Sequence, residues 1–210
     1  MNFLMRFKQL FFCALFCLTG VSVYAQKEDE VAKLSSATND ALDVLYEEQY
    51  SNSSHEEKAA AVRAILERDY DLMVLIRRTM GRNWKSLSSS EQSEVKELIT
   101  QLIIKGFVNG LQGLERPTVT YGEQIMITEK RFEVPSVVTF SDGKVFNVVY
   151  RFGKLRTGWQ IYDILAEEVS VVSNYRQQFD DHFRKGTGAE LVDKLEDLLK
   201  KKTIDRTTEL

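Results

Sequence analysis

Apolar residues recur at three- and four-residue steps through the first half of the chain. Leu34, Ala37, Ala41, Leu42 and Leu45 form one series, and Val62, Ile65, Leu66, Leu72, Leu75 and Ile76 form another. That period puts one apolar face on an α-helix. The polar stretch "SNSSHEEK", residues 51–58, separates the two series and ends in acids that suit a helix start. A third helix is expected after Ser88. Glu91 lies three residues on, the spacing of a capping box, in which each residue satisfies a backbone N–H of the other. Val95, Leu98, Ile99, Leu102, Ile103, Phe107, Leu111 and Leu114 then run as one stripe. Gly106, Gly110 and Gly113 interrupt it, each at a cost of about 1 kcal/mol inside a helix. Close packing of a neighbouring helix is the expected offset, and room for a ligand is the alternative.

Pro117 changes the pattern. Residues 118–152 are rich in β-branched and aromatic side chains, and Asp142-Gly143 marks a hairpin between two such runs. Phe146, Val148, Tyr150 and Phe152 alternate onto one face, while Val145 and Val149 make the other face apolar too. A sheet apolar on both sides needs cover on both sides. After "RTG", residues 156–158, a last strand is expected over Trp159–Leu165. From Glu167 the spacing again reads helical. Val169, Val171, Val172, Tyr175, Phe179 and Phe183 fall within about 160° at 100° per residue. Leu191, Leu195, Leu198 and Leu199 mark a closing amphipathic helix. Helices, then four antiparallel strands, then helices make an α+β domain.

The first residues carry a different signal. Arg6 and Lys8 precede an uncharged apolar run, Leu10–Leu18, and Val23-Tyr24-Ala25 offers short side chains for cleavage. This is the layout of a secretory signal peptide, and the run is too short to span a bilayer. The expected organisation is a signal peptide over residues 1–25, one domain over 26–203 and a solvated tail over 204–210. Both cysteines, Cys13 and Cys17, fall in the leader, so the expected mature domain has neither disulfide nor cysteine metal ligand. Removing the leader takes two of the 28 basic residues and no acid, moving the net charge from −3 to −5. No basic stripe remains to suggest nucleic acid.

Candidate chemistry is sparse. His55 lies in a polar break, and His182 follows Asp180 and Asp181. Consecutive helical residues point about 100° apart, so that triplet cannot converge on one ion without further ligands. No phosphate loop, nucleophile elbow or zinc spacing appears. Glu167 and Glu168, at the expected strand–helix junction, suit a helix dipole better than catalysis. Asp163 has no evident partner along the chain. An enzyme acting on an apolar small molecule, with Asp163 or Glu167 as base, is the alternative to a binding protein.

The stretch "GWQIYDILAEEVSVVSNYRQQF", residues 158–179, resembles the signature of the MlaC, or toluene-tolerance, family of periplasmic phospholipid-binding proteins. Gly158, Trp159, Tyr162, Asp163, Glu167, Val169, Ser170, Asn174, Tyr175, Arg176 and Phe179 stand at matching places, and Glu168 replaces a usual glycine. "MGRNWKSLSSSEQ", residues 80–92, is similar to a second block, through Met80, Gly81 and Trp84, with Phe107 further along its helix. The resemblance implies an NTF2-like curved four-stranded sheet wrapped by six or seven helices around an apolar pocket. It also implies a monomeric periplasmic carrier, moving phospholipid between an outer-membrane lipoprotein complex and an inner-membrane ABC transporter. No cofactor or metal is expected. A sixteen-carbon chain costs on the order of 12 kcal/mol in water, so such a carrier must enclose the tails. Surplus apolar surface makes Phe107, Leu111, Val149, Val169 and Val172 the expected pocket lining, with Glu167 the candidate for headgroup contact.

Overall fold

A computed structural model describes residues 30–201. The expected leader and the tail at 204–210 lie outside the described residues. Six α-helices are present among them: α1 (30–46), α2 (His55–Asp69), α3 (Leu72–Met80), α4 (Ser89–Leu111), α5 (Val171–His182) and α6 (Gly188–Lys200). Short 3₁₀ turns at Glu48–Tyr50 and Gly81–Ser86 follow α1 and α3. The strands are β1 (Thr118–Tyr121), β2 (Ile125–Thr128), β3 (Arg131–Thr139), β4 (Val145–Leu155), β5 (Gly158–Ala166) and β6 (Val169–Ser170).

Helix starts follow from short-range chemistry. The Ser88–Glu91 capping box forms as its spacing predicts, with Glu91 accepting from the Ser88 N–H at 2.7 Å. Ser54–Glu57 does the same for α2, and Thr187–Glu190 for α6. Each box satisfies amides that the helix itself leaves free.

The sheet is open and antiparallel, in the order β1-β3-β4-β5-β6, with β2 also paired to β3. It has six strands where the sequence pattern suggested four. Pro135 explains one addition. Its carbonyl accepts from Gly122 at 2.8 Å, but its nitrogen has no proton to offer on that same edge. The strand opposite breaks there, so β1 ends at Tyr121 against Ser136 and β2 resumes at Ile125 against Glu133. The second addition is β6. Glu167 and Glu168 both take positive φ, 49° and 66°, and form a two-residue turn that pairs Ala166 with Val169. The helix therefore begins at Val171, and Val169 belongs to a strand instead of the helical stripe its spacing suggested.

Three apolar clusters hold these elements. Ile76, Met80, Trp84, Phe179, Leu191 and Leu195 join α3, its 3₁₀ turn, α5 and α6. Leu34 and Ala37 of α1 meet the sheet at Phe132, Val134, Phe152 and Trp159, where the Phe132 and Phe152 rings stack at 4.7 Å. Ala41, Val44, Val62, Ile104 and Val108 bind α1, α2 and α4. The glycines of α4 do not serve close packing. A Cβ placed on Gly106 or Gly110 would meet nothing within 4 Å, so those positions border open space.

Candidate apolar cavity

A hollow of about 200 Å³ lies where four helices meet the end of β5. From α3 it is walled by Leu75, Ile76 and Thr79, and from α4 by Ile99, Leu102 and Ile103. Ile164 contributes from β5, while α5 brings Val171, Val172, Tyr175 and Phe179. Leu195 and Leu198 of α6 complete it. No charged side chain stands in this wall. The Thr79 hydroxyl donates to the Ile76 carbonyl of its own helix at 2.8 Å. Tyr175 is 38 % exposed, which puts it at the rim, and burial pushes its phenol up from the ordinary value. It stays neutral at physiological pH.

The wall is built by buried polar anchors behind it. Asp163 is the central one. One carboxylate oxygen accepts from the Ile164 amide at 2.9 Å and the Val172 amide at 3.2 Å. The other accepts from the Ser170 hydroxyl at 2.8 Å and from Arg151 at 3.3 Å. Arg151 also donates to Glu133 at 2.8 Å, so Glu133, Arg151 and Asp163 form one row across β3, β4 and β5. The carboxylate thus fastens the first turn of α5 to the sheet, and an acid suits that position. Along the chain Asp163 looked unpartnered, because the sheet register supplies Arg151 and the β5–β6 turn supplies Ser170.

The other expected positions scatter. Val172 is 5 % exposed and stands in the cavity wall. Val169, 60 % exposed, lies on β6 just before that wall. Glu167 exchanges two bonds with Asn147, accepting from its amide at 2.5 Å and donating its own N–H to the Asn147 carbonyl at 3.0 Å. Phe107 packs against the third cluster, and Leu111 borders a shallow cleft beside Leu45, Tyr46 and Val108. Val149 is half-buried between its strand partners Pro135 and Leu165. Sequence reasoning passed over Ile99, Leu102, Ile103, Leu195 and Leu198 as lining, although all sit on helical stripes it had recognised. Their spacing says that they are covered, not whether protein or a void covers them.

Among the described residues no group of three or more His, Cys, Asp or Glu side chains could hold a metal, and no helix is long and apolar enough to cross a membrane. His182 bonds the Thr187 carbonyl at 2.9 Å and Lys194 at 3.2 Å, away from the cavity.

The family model described as MlaC protein matches residues 35–197, a span that runs from α1 into α6. The chain belongs to the MlaC family. A search of curated proteins gives no match. Among solved structures, the phospholipid-binding protein of Ralstonia solanacearum, determined in complex with a phospholipid, shares the fold with a TM-score of 0.66. It is 22 % identical, over 79 % of this chain and 94 % of that one. Two MlaC blocks distant in sequence meet beside the cavity. Arg176 of the "NYRQQF" stretch donates to the Arg78 carbonyl next to the "MGRNW" stretch, and Asn83 donates to Asp180 at 2.7 Å.

Proposed function

We propose that this protein is a periplasmic carrier that encloses phospholipid acyl chains in the α3–α4–α5–α6 cavity and moves them between membrane complexes. The observation that carries this reading is the wall itself, which is apolar, uncharged and built from five separate elements. Transfer of acyl carbon into such a space is favourable by about 0.8 kcal/mol per CH₂. Membership of the MlaC family and the phospholipid seen in the Ralstonia protein support the same ligand class.

The volume sets a further condition. An apolar cavity of about 150 Å³ accepts a molecule the size of benzene, so about 200 Å³ holds only part of one acyl chain. A two-chained lipid requires the hollow to lengthen. Along α4 the wall residues Ile99 and Ile103 are followed at four-residue steps by Phe107 and Leu111, which turn progressively towards the third cluster and the cleft beside it. Those two residues are the next contacts for a longer chain. Val169 extends the rim beside Val171, Val149 lines a widened sheet side, and Glu167 is left outside for the wet headgroup. The expected partners are an inner-membrane ABC transporter complex and an outer-membrane lipoprotein complex, served by a monomer.

An enzymatic reading has less support. The lone pairs of Asp163 are occupied by four donors, and Glu167 is tied to Asn147 in an exposed turn. The deciding experiment is organic extraction of protein purified from the periplasm, followed by mass spectrometry. Near-stoichiometric phospholipid is expected. A small metabolite in its place would favour the enzyme, and empty protein would remove the carrier reading.

A further inference from the structure

The sheet also carries an unpartnered surface of a different kind. Strand β2 pairs with β3 alone, so among the described residues its other edge is free, and all four of its residues are exposed. Ile125, Ile127 and the nearby Leu155 are each about half exposed. Thr128, the last residue of β2, also lines a cleft of about 380 Å³ with Arg78, Lys130, Arg131, Lys154 and Tyr162.

The charge in this cleft is lopsided. Arg78 and Arg131 both lie over the Tyr162 ring, at 4.6 and 5.6 Å from its centre. Lys154 lies over Trp159 at 5.7 Å. None of these, nor Lys130, makes an ion pair with a carboxylate among the described residues, and the acid nearest in sequence is the exposed Glu129 in the β2–β3 turn. The whole chain is net negative, so this concentration of positive charge is local.

We infer that this surface docks an extended acidic segment of a partner protein, which adds as a strand to β2 and lays carboxylates over the Arg78, Lys130, Arg131 and Lys154 cleft. Two features select that occupant. A free strand edge offers backbone donors and acceptors that another strand satisfies. Hydrocarbon cannot satisfy them, so burying this edge in a bilayer would leave them unpaired. Guanidinium groups held over an aromatic ring present a fork suited to carboxylates. The cleft adjoins the cavity through α3 and β5 but shares no lining residue with it, and the inference does not depend on the cargo.

The test uses the full chain and a short fluorescein-labelled peptide of alternating glutamate and valine, read by anisotropy. Binding is expected to weaken with added salt, and a lysine–valine counterpart is expected not to bind. Arg131→Glu with Lys154→Glu should weaken binding at least about tenfold while the circular dichroism spectrum is kept. Wild-type protein should also fail to bind the acidic peptide once its alternate amides are N-methylated, which blocks strand pairing without touching charge and serves as a check should the double variant not fold. The inference is overturned if the methylated peptide binds as well as its parent, or if charge reversal leaves affinity unchanged. It is equally overturned if the protein ignores the peptide, whether or not it sediments with phosphatidylglycerol vesicles.

Discussion

Arg176 on α5 donates from Nε to the backbone carbonyl of Arg78 on α3 at 2.8 Å, and its Nη2 reaches the same oxygen. That carbonyl lies in the last turn of α3, where the helix has no partner of its own to offer. The guanidinium fills the place and holds the two helices together over the cavity wall. Gly81 makes room for it. Its φ is 55°, and a Cβ there would stand 3.3 Å from the Arg176 Nε.

Gly81→Ala is therefore expected to destabilise the protein by about 1–3 kcal/mol, the scale for forcing a side chain into sparsely populated backbone space. Thermal unfolding measures it, at about 2–4 °C per kcal/mol for a domain of this size. An unchanged midpoint would mean that the turn relaxes without cost.

Leu102→Trp places an indole in the hollow. Overfilling is expected to cost at most about 1–3 kcal/mol of stability, while phospholipid recovered per protein falls sharply. The measurement is the extraction described above, alongside a melting curve. Undiminished lipid in a folded variant would move the acyl site away from this cavity.

The β5–β6 turn holds two glutamates in left-handed conformations, each penalised by about 1–2 kcal/mol relative to glycine. Glu168→Gly is expected to raise stability by about 1 kcal/mol, after allowing for the greater freedom that glycine gives the unfolded chain. Glu167 keeps its bonds to Asn147 in that variant. Chemical denaturation is the check, and a lower midpoint would contradict the expectation.

Acid dependence follows from Glu97. Arg63 donates to both its carboxylate oxygens, at 2.6 and 2.8 Å, and holds it at about 2, below its ordinary 4.5. A lowered carboxylate stabilises the fold above its unfolded value and loses that contribution as pH falls towards the folded one. The loss belongs between about pH 4.5 and 2. The pair is partly exposed, so solvent screening keeps it under about 1 kcal/mol. Comparing wild type with Glu97→Gln should show the difference shrinking through that window. A constant offset at all pH values would assign the effect to something else.

Much of this fold is legible in the chain. Ser88 and Glu91 announce α4 because a capping box is local chemistry, complete within four residues. The strand count is not, since the break opposite Pro135 exists only after β3 has paired. Val169 misleads for a related reason. Its spacing suits a helix, and the turn before it lacks the glycine that usually signals left-handed backbone. The cavity is the hardest to read. Ile99 and Ile103 repeat at the same interval as Ile104 and Val108, yet the first pair faces a void and the second a core. Which is which depends on where α5 packs beside α4, and Asp163 on the sheet anchors only the first turn of α5.

Polar ties bind α5 to the sheet and to α3 with its 3₁₀ turn: Asp163 to its first turn, Arg176 to the Arg78 carbonyl, and Asp180 to Asn83. Directional bonds of this kind break before they stretch, so α3, α5 and β5 form the rigid jaw of the molecule. The opposite jaw, α4 with α6, meets it mainly through apolar side chains, with polar links from Gln92 to the Trp84 and Leu87 carbonyls and from Lys194 to His182. Greasy contacts let helices glide past one another at little cost, and Lys105 keeps the α6 end moored to α4 as they do, through the Leu199 and Lys201 carbonyls. A hollow that lengthens for a two-chained lipid would open along this apolar seam, where fewer directional bonds must break.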